Sequence, residues 1–193
     1  MKIYLSIALA ASIALCSCSG TKTVSRINEN EQVDLSGRWN DTDSKLVAQQ
    51  MISDVLGRPW LGDHLKSQGK KPTVIVGLIK NRSSEHIASE TFINDIEREL
   101  INSGQVRLVQ GGEFRNELRA EKADQQNNSS LETVKKFGRE LGADYILQGS
   151  INSISDANKK TKLVFYQTDL ELTNIETNEK VWIGSKKIKK VVQ

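Results

Sequence analysis

Tyr145-Ile146-Leu147-Gln148-Gly149-Ser150-Ile151-Asn152-Ser153-Ile154 is the stretch in which the hydrophobic period of this chain changes from 3.6 residues to 2. Everything before Gly142 reads mainly as helices with short strands between them. Everything after it reads as strands. Leu163 to Leu172 and Val181 to Ile188 repeat the two-residue period. Asp156-Ala157-Asn158-Lys159 and Glu176-Thr177-Asn178-Glu179 supply turn chemistry between the three segments. On the middle one, Tyr166, Thr168, Leu170 and Leu172 alternate with Gln167, Asp169, Glu171 and Thr173. That alternation predicts a strand with one buried and one wet face, inside an antiparallel meander.

Upstream, Lys45 to Leu56 carries Val47, Met51, Val55 and Ala48, Ile52, Leu56 as two adjacent rows at i, i+4, which predicts a helix. Asp43 or Ser44 is placed to cap it, and Gly57 with Pro59 to stop it. Trp60 to Lys66 reads as a short second helix, and Thr73 to Ile79 as a buried strand leaving into a polar loop, Lys80 to Glu85. Glu90 to Ser103 is a helix ending at Gly104, and Val106 to Val109 a short strand. Two helices follow, a highly charged one over Glu113 to Lys122 and one over Leu131 to Leu141, the latter with Ser129 and Glu132 at capping-box spacing. The order predicts one α/β domain: a small mixed sheet flanked by helices and ending in an antiparallel meander.

The first residues are of another kind. Lys2 is a positive n-region, Ile3 to Leu15 a mostly apolar h-region, and Leu15-Cys16-Ser17-Cys18 a lipoprotein-type cleavage site. The apolar run falls short of the roughly 20 residues that cross a bilayer. Residues 1–17 are therefore expected to be a signal peptide removed before Cys18, whose thiol takes lipid. Cys16 fits less well, because the bulky Leu15 precedes it. Residues 18–33 are the lipidated cysteine and a polar tether, and the globular domain is expected over 34–193. From Cys18 to Trp39 the chain reaches on the order of 70 Å extended, or about 25 Å as a coil. With Cys18 the sole cysteine after cleavage, no internal disulfide can form, and stability has to come from a packed core.

The net charge of +3 falls to +2 without Lys2, and the charges are too mixed to imply a nucleic-acid partner. Two histidines, His64 and His86, sit in no cluster with metal-ligand spacing. Neither metal nor cofactor is implied. Ser83-Ser84-Glu85-His86 has the residue types of a triad, but consecutive positions cannot place nucleophile, base and orienter in one geometry. Capping or loop hydrogen bonding before the Glu90 helix explains them better. Gly111-Gly112 lacks the Lys-Ser/Thr that a phosphate-cradling loop carries.

Asp34-Leu35-Ser36-Gly37-Arg38-Trp39-Asn40-Asp41-Thr42-Asp43 resembles the opening motif of the outer-membrane lipoproteins that activate penicillin-binding proteins, the Lpo type B family. The likeness continues through Pro72-Thr73-Val74-Ile75-Val76-Gly77, Asn81 to Ile87, Ile101 to Gly104, Glu117 to Gln126 and Glu140 to Tyr145. The resemblance implies a fold like the N-terminal domain of the TolB protein. It also implies a non-enzymatic activator, anchored to the outer membrane and facing the periplasm, whose partner is a bifunctional peptidoglycan synthase. The tether here is shorter than in the better-known members. An envelope scaffolding lipoprotein of the same fold, or a peptidoglycan hydrolase, are the alternative classes.

Residues for the partner contact are sought among exposed cations. At 100° per residue, Arg115, Arg119 and Lys122 cluster on one side of the Glu113 helix, opposite Glu113, Glu117 and Glu121. Arg82, in the polar segment after the central strand, joins Arg115 and Arg119 as a candidate. Lys186, Lys187, Lys189 and Lys190 read as an edge guard against aggregation rather than a binding patch. Trp39 and Trp60 are either core residues or hot-spot anchors for a partner, and the helix-start and strand-lead-in signals beside them favour core or boundary packing.

Overall fold

The computed structural model describes residues 24–28, 31–128 and 142–192. The export signal, Cys18 and the Leu131 to Leu141 helix lie outside the described residues. The compact unit spans Gln32–Gln193, and Met1–Glu31 forms a separate one.

In chain order the elements are α1 (Asp41–Leu56), α2 (Pro59–Gln68), β1 (Thr73–Arg82), α3 (Ser89–Ser103), β2 (Arg107–Leu108), α4 (Gly112–Asn128), β3 (Tyr145–Ala157), β4 (Lys162–Asn174) and β5 (Lys180–Val192). The strands make one mixed sheet in the order β2-β1-β3-β4-β5. β1 is parallel to both of its neighbours, whereas β3, β4 and β5 are antiparallel in sequence. This is the α/β domain with a terminal meander that the periodicity predicts.

One face of the sheet carries the core. Val74, Val76, Ile79, Leu147, Ile151, Val164, Tyr166, Leu170, Leu172 and Trp182 meet the apolar rows of α1 and α3, with Phe92 and Ile96 fully buried. The alternation of β4 is borne out position by position, Tyr166, Thr168, Leu170 and Leu172 being buried while their neighbours are not. Trp60 is core, edge-on to Tyr145 at 5.0 Å, and its indole N–H donates to Val55 O at 2.6 Å. His64 is core too: its Nδ1 lies 3.2 Å from the Tyr145 hydroxyl, which ties α2 to β3.

Three local expectations are corrected. The N-cap of α1 is Asn40, not Asp43 or Ser44. Asn40 Oδ1 accepts from Asp43 N and Asp43 Oδ2 accepts from Asn40 N, both at 3.0 Å, a reciprocal capping box. Ser44 Oγ instead accepts the Trp39 indole N–H at 2.8 Å. Second, Lys80 to Arg82 is strand, because β3 runs alongside and pairs Lys80 with Ser150 and Arg82 with Asn152. Lys80 and Arg82 tolerate this because they point to the wet face, and Asn81 between them donates its side-chain amide to Glu85 O at 2.8 Å. Third, α3 starts from Ala88 without a side-chain cap, so Ser83 to His86 caps nothing. Ser83 Oγ and Asn81 Oδ1 close the loop on each other at 2.7 Å, and Ser84 N donates to Ser153 Oγ at 3.0 Å, the loop bonding that was the other expectation.

Candidate partner-docking surface

Residues 32–40 form a strap into the domain, and most of the Asp34–Asp43 motif is spent on holding it. Lys190 Nζ, on β5, lies 2.6 Å from both Asp34 Oδ1 and Asp43 Oδ2 and donates to Arg38 O at 3.0 Å. Burial alone would lower the pKa of that ammonium; its hydrogen bonds to the two carboxylates outweigh this and raise it. The Lys190 hydrogen bond in turn holds the Asp34 carboxyl below its ordinary value. Gly37 has φ +64°, and a Cβ there would clash with Val192 Cγ2, so both backbone and space favour glycine. Trp39 packs edge-on against Phe92 at 6.0 Å and Tyr166 at 5.6 Å, and its backbone N–H donates to Glu85 Oε2 at 3.2 Å. Trp39 is thus boundary packing, and Glu85 is a structural acceptor. The Tyr166 phenol, pushed up by burial and then by the Glu85 carboxylate, stays protonated.

Lys186, Lys187, Lys189 and Lys190 of β5 are not one patch. Strand alternation turns Lys186 and Lys190 toward the helices and Lys187 and Lys189 toward the opposite face. β5 is an edge strand, so a guarding role remains for those that point outward; Lys190, half-buried, is a structural cation.

The three candidate arginines fall on two elements. Arg82 is exposed at the last position of β1. Arg119 is exposed and Arg115 half-buried on α4, each engaged by a neighbour. The apolar pair of α4 points outward, Phe114 being 65% and Leu118 50% exposed, beside a groove of about 620 Å³ with Glu117 and Glu121.

Opposite α1 and α3, the sheet shows a second face that periodicity alone could not assemble. Register aligns its outward side chains in rows: Gln148, Glu171, Ile183; then Lys80, Ser150, Asp169, Ser185; then Arg82, Asn152, Gln167, Lys187; then Ile154, Phe165, Lys189. None of these residues is buried. A shallow groove of about 460 Å³ runs through the first two rows, with Leu78 at its side. Among the described residues no group of three His, Cys, Asp or Glu is arranged to hold a metal. No helix of the described residues is long and apolar enough to cross a membrane.

Among solved structures, the chain is similar to the LpoB C-terminal domain from Escherichia coli, at 18% identity and TM-score 0.45, covering 77% of this chain and 99% of that one. The corresponding domain from Salmonella enterica gives 20% identity and TM-score 0.36, covering 68% and 94%. Lipoprotein GNA1162 from Neisseria meningitidis gives 13% and 0.39, covering 62% and 83%. No curated protein matches the chain. The profile of the peptidoglycan-synthase activator LpoB matches residues 43–188, from the capping-box aspartate of α1 to the middle of β5, and the chain therefore belongs to the LpoB family.

Proposed function

We propose that this protein is a lipid-anchored activator of a bifunctional penicillin-binding protein, working at the outer membrane with no chemistry of its own. The observation that carries this reading is the family profile over residues 43–188. The fate of the residues with catalytic types is in accord with it: Ser83, Ser84 and Glu85 are taken up by loop and strap hydrogen bonds, and His64 by core packing. In this reading residues 1–17 are the export signal, Cys18 carries the acyl chains, residues 18–33 are the tether, and 34–193 bear the partner-binding surface with Arg82, Arg115 and Arg119 in it.

An activator without chemistry works by differential affinity. It has to bind the active conformation of the synthase more tightly than the resting one, because equal affinity shifts nothing. The purified chain, added to the host's bifunctional synthase, is expected to raise consumption of lipid-linked precursor and crosslinking of the product. Saturating, demonstrated binding with no change in either rate would remove the activator reading and leave the fold intact. Clearing of peptidoglycan by the chain alone would favour a hydrolase.

A further inference from the structure

The sheet face turned away from α1 and α3 carries exposed and half-buried side chains among the described residues, and its charges are unequally satisfied. Its central carboxylates are already bonded: Gln167 Nε2 donates to both oxygens of Asp169 at 2.9 Å, and Lys180 Nζ lies 2.6 Å from Glu171 Oε2. Its cations are not. Among the described residues, Lys80, Arg82, Lys187 and Lys189 make no side-chain hydrogen bond or ion pair. All four are exposed. One further acid, Asp156, stands at the hairpin end of the face, opposite Leu163 and Val191.

Apolar side chains flank this cationic band at both ends. Leu78 is 62% and Ile183 66% exposed on one side, Ile154 68% and Val191 58% on the other. Apolar side chains left this open on a sheet add little to the core, and gathered on one face beside cations they suit a contact surface. Strands about 4.8 Å apart and rows about 6.7 Å apart make the face, from Lys80 to Lys187 and from Gln148 to Asp156, about 14 Å by 27 Å. That is about 400 Å², roughly half of the 800 Å² that each partner of a standard interface buries.

We propose that this open face, with Lys80, Arg82, Lys187 and Lys189 between Leu78/Ile183 and Ile154/Val191, is where the synthase docks, through a protein surface presenting carboxylates among apolar side chains. The inference rests on the activator reading above and adds the location and the chemistry of the contact. Charge complementarity selects this occupant. A second copy of the chain would set the same four cations against themselves. An anionic membrane would meet Asp169 and Glu171 in the middle of the band, and phosphates are repelled there. A protein surface can instead pair carboxylates with the four cations and use Gln148, Ser150 and Asn152 as directional hydrogen-bonding groups.

The test measures affinity of the full chain for the purified synthase at low and high salt, for the unaltered protein, Lys80→Glu/Arg82→Glu, Ile183→Asp, and Lys66→Glu on α2 as a control away from the face. The double reversal is expected to weaken binding at least tenfold and to flatten its salt dependence. Ile183→Asp should weaken it at least fivefold, Lys66→Glu less than twofold, and near-UV circular dichroism should match the unaltered protein throughout. For a variant that fails the dichroism check, a photo-crosslinker at position 78 of the otherwise unaltered chain takes its place, with a crosslink to the synthase expected. Tight binding by the unaltered chain with unchanged affinity in both face variants would overturn the docking face and spare the activator reading. No binding by the unaltered chain would overturn both. Loss of self-association, or of binding to phosphatidylglycerol vesicles, in the same variants while synthase affinity holds would give the face to a second copy or to a membrane and overturn the proposal.

Discussion

Lys190 is one of four lysines near the end of a strand rich in them, and its neighbours do not share its role. Two positions along a strand return a side chain to the same face, so Lys190 follows Trp182, Gly184, Lys186 and Ile188 inward and reaches Asp34 and Asp43. Both ends of that contact titrate. Asp34 has a lowered pKa in the folded chain, so its contribution is complete above its ordinary 3.8 and is lost as pH falls through the lower folded value. Lys190 has a raised one, so its contribution is complete below 10.5 and is lost as pH rises through the folded value. Asp34→Asn is expected to lower stability by up to about 1 kcal/mol at neutral pH, Asp34 being partly exposed and screened. The deficit against the unaltered chain should hold between pH 5 and 9 and shrink in acid below about pH 3.5. Urea midpoints measured across that range check it; a deficit independent of acid would assign the loss to the Asn40 and Gln32 hydrogen bonds instead.

At the scale of elements, α4 is the helix whose amphipathicity faces the unexpected way. Phe114 and Leu118 are exposed while Arg115 is half-buried, so the described side chains of this helix, up to Ala123, add no apolar stripe to the core as those of α1 and α3 do. Segregating its cations from its acids gains nothing within the helix, because like charges at i, i+4 repel by about 0.2–0.5 kcal/mol per pair. An outside partner would repay that cost. Arg119→Ala is expected to weaken the synthase complex by about 1–3 kcal/mol if the guanidinium is a contact. The melting temperature should then barely move, exposed substitutions costing within about 0.5 kcal/mol. A variant that melts early and binds only in proportion to its folded fraction would mark Arg119 as structural, since it already has a neighbour within the chain.

For the molecule as a whole, the strap decides how the N-terminal segment leaves the domain. Trp39 is its main fastening, wedged between a helix residue, Phe92, and a strand residue, Tyr166, and hydrogen-bonded to α1 and to the β1–α3 loop. If residues 18–33 are a tether as proposed, a pull on it would load this strap, so the strap's strength would bear on how the domain is presented to a partner. Trp39→Ala is expected to cost about 3 kcal/mol, the loss typical of a large aromatic truncated against a core. Trypsin should also cut faster after Arg38. A lowered urea midpoint without faster cleavage there would mean that the ion pairs of Lys190 hold the strap without the indole.

Much of this was legible in the sequence, because periodicity is a local property. The change from 3.6 to 2 after Gly142, the rows of α1 and the alternation of β4 each need only a dozen neighbouring residues, and each names a buried face correctly. Gly57 and Gly104 likewise end their helices where local turn chemistry says they should. The resemblance carried by Asp34–Asp43 and its companion motifs named the family that the profile over residues 43–188 shows. What local pattern could not supply is who stands opposite. Asn40 caps α1 because Asp43 answers it and Lys190, 147 residues further along, holds Asp43 in place. Lys80, Arg82, Lys187 and Lys189 come to one surface only because β3 and β4 intervene in register between β1 and β5. Hydrophobic period records which side of an element is dry. The wet side carries no such constraint, so the identity of its neighbours is decided by strand order and register alone.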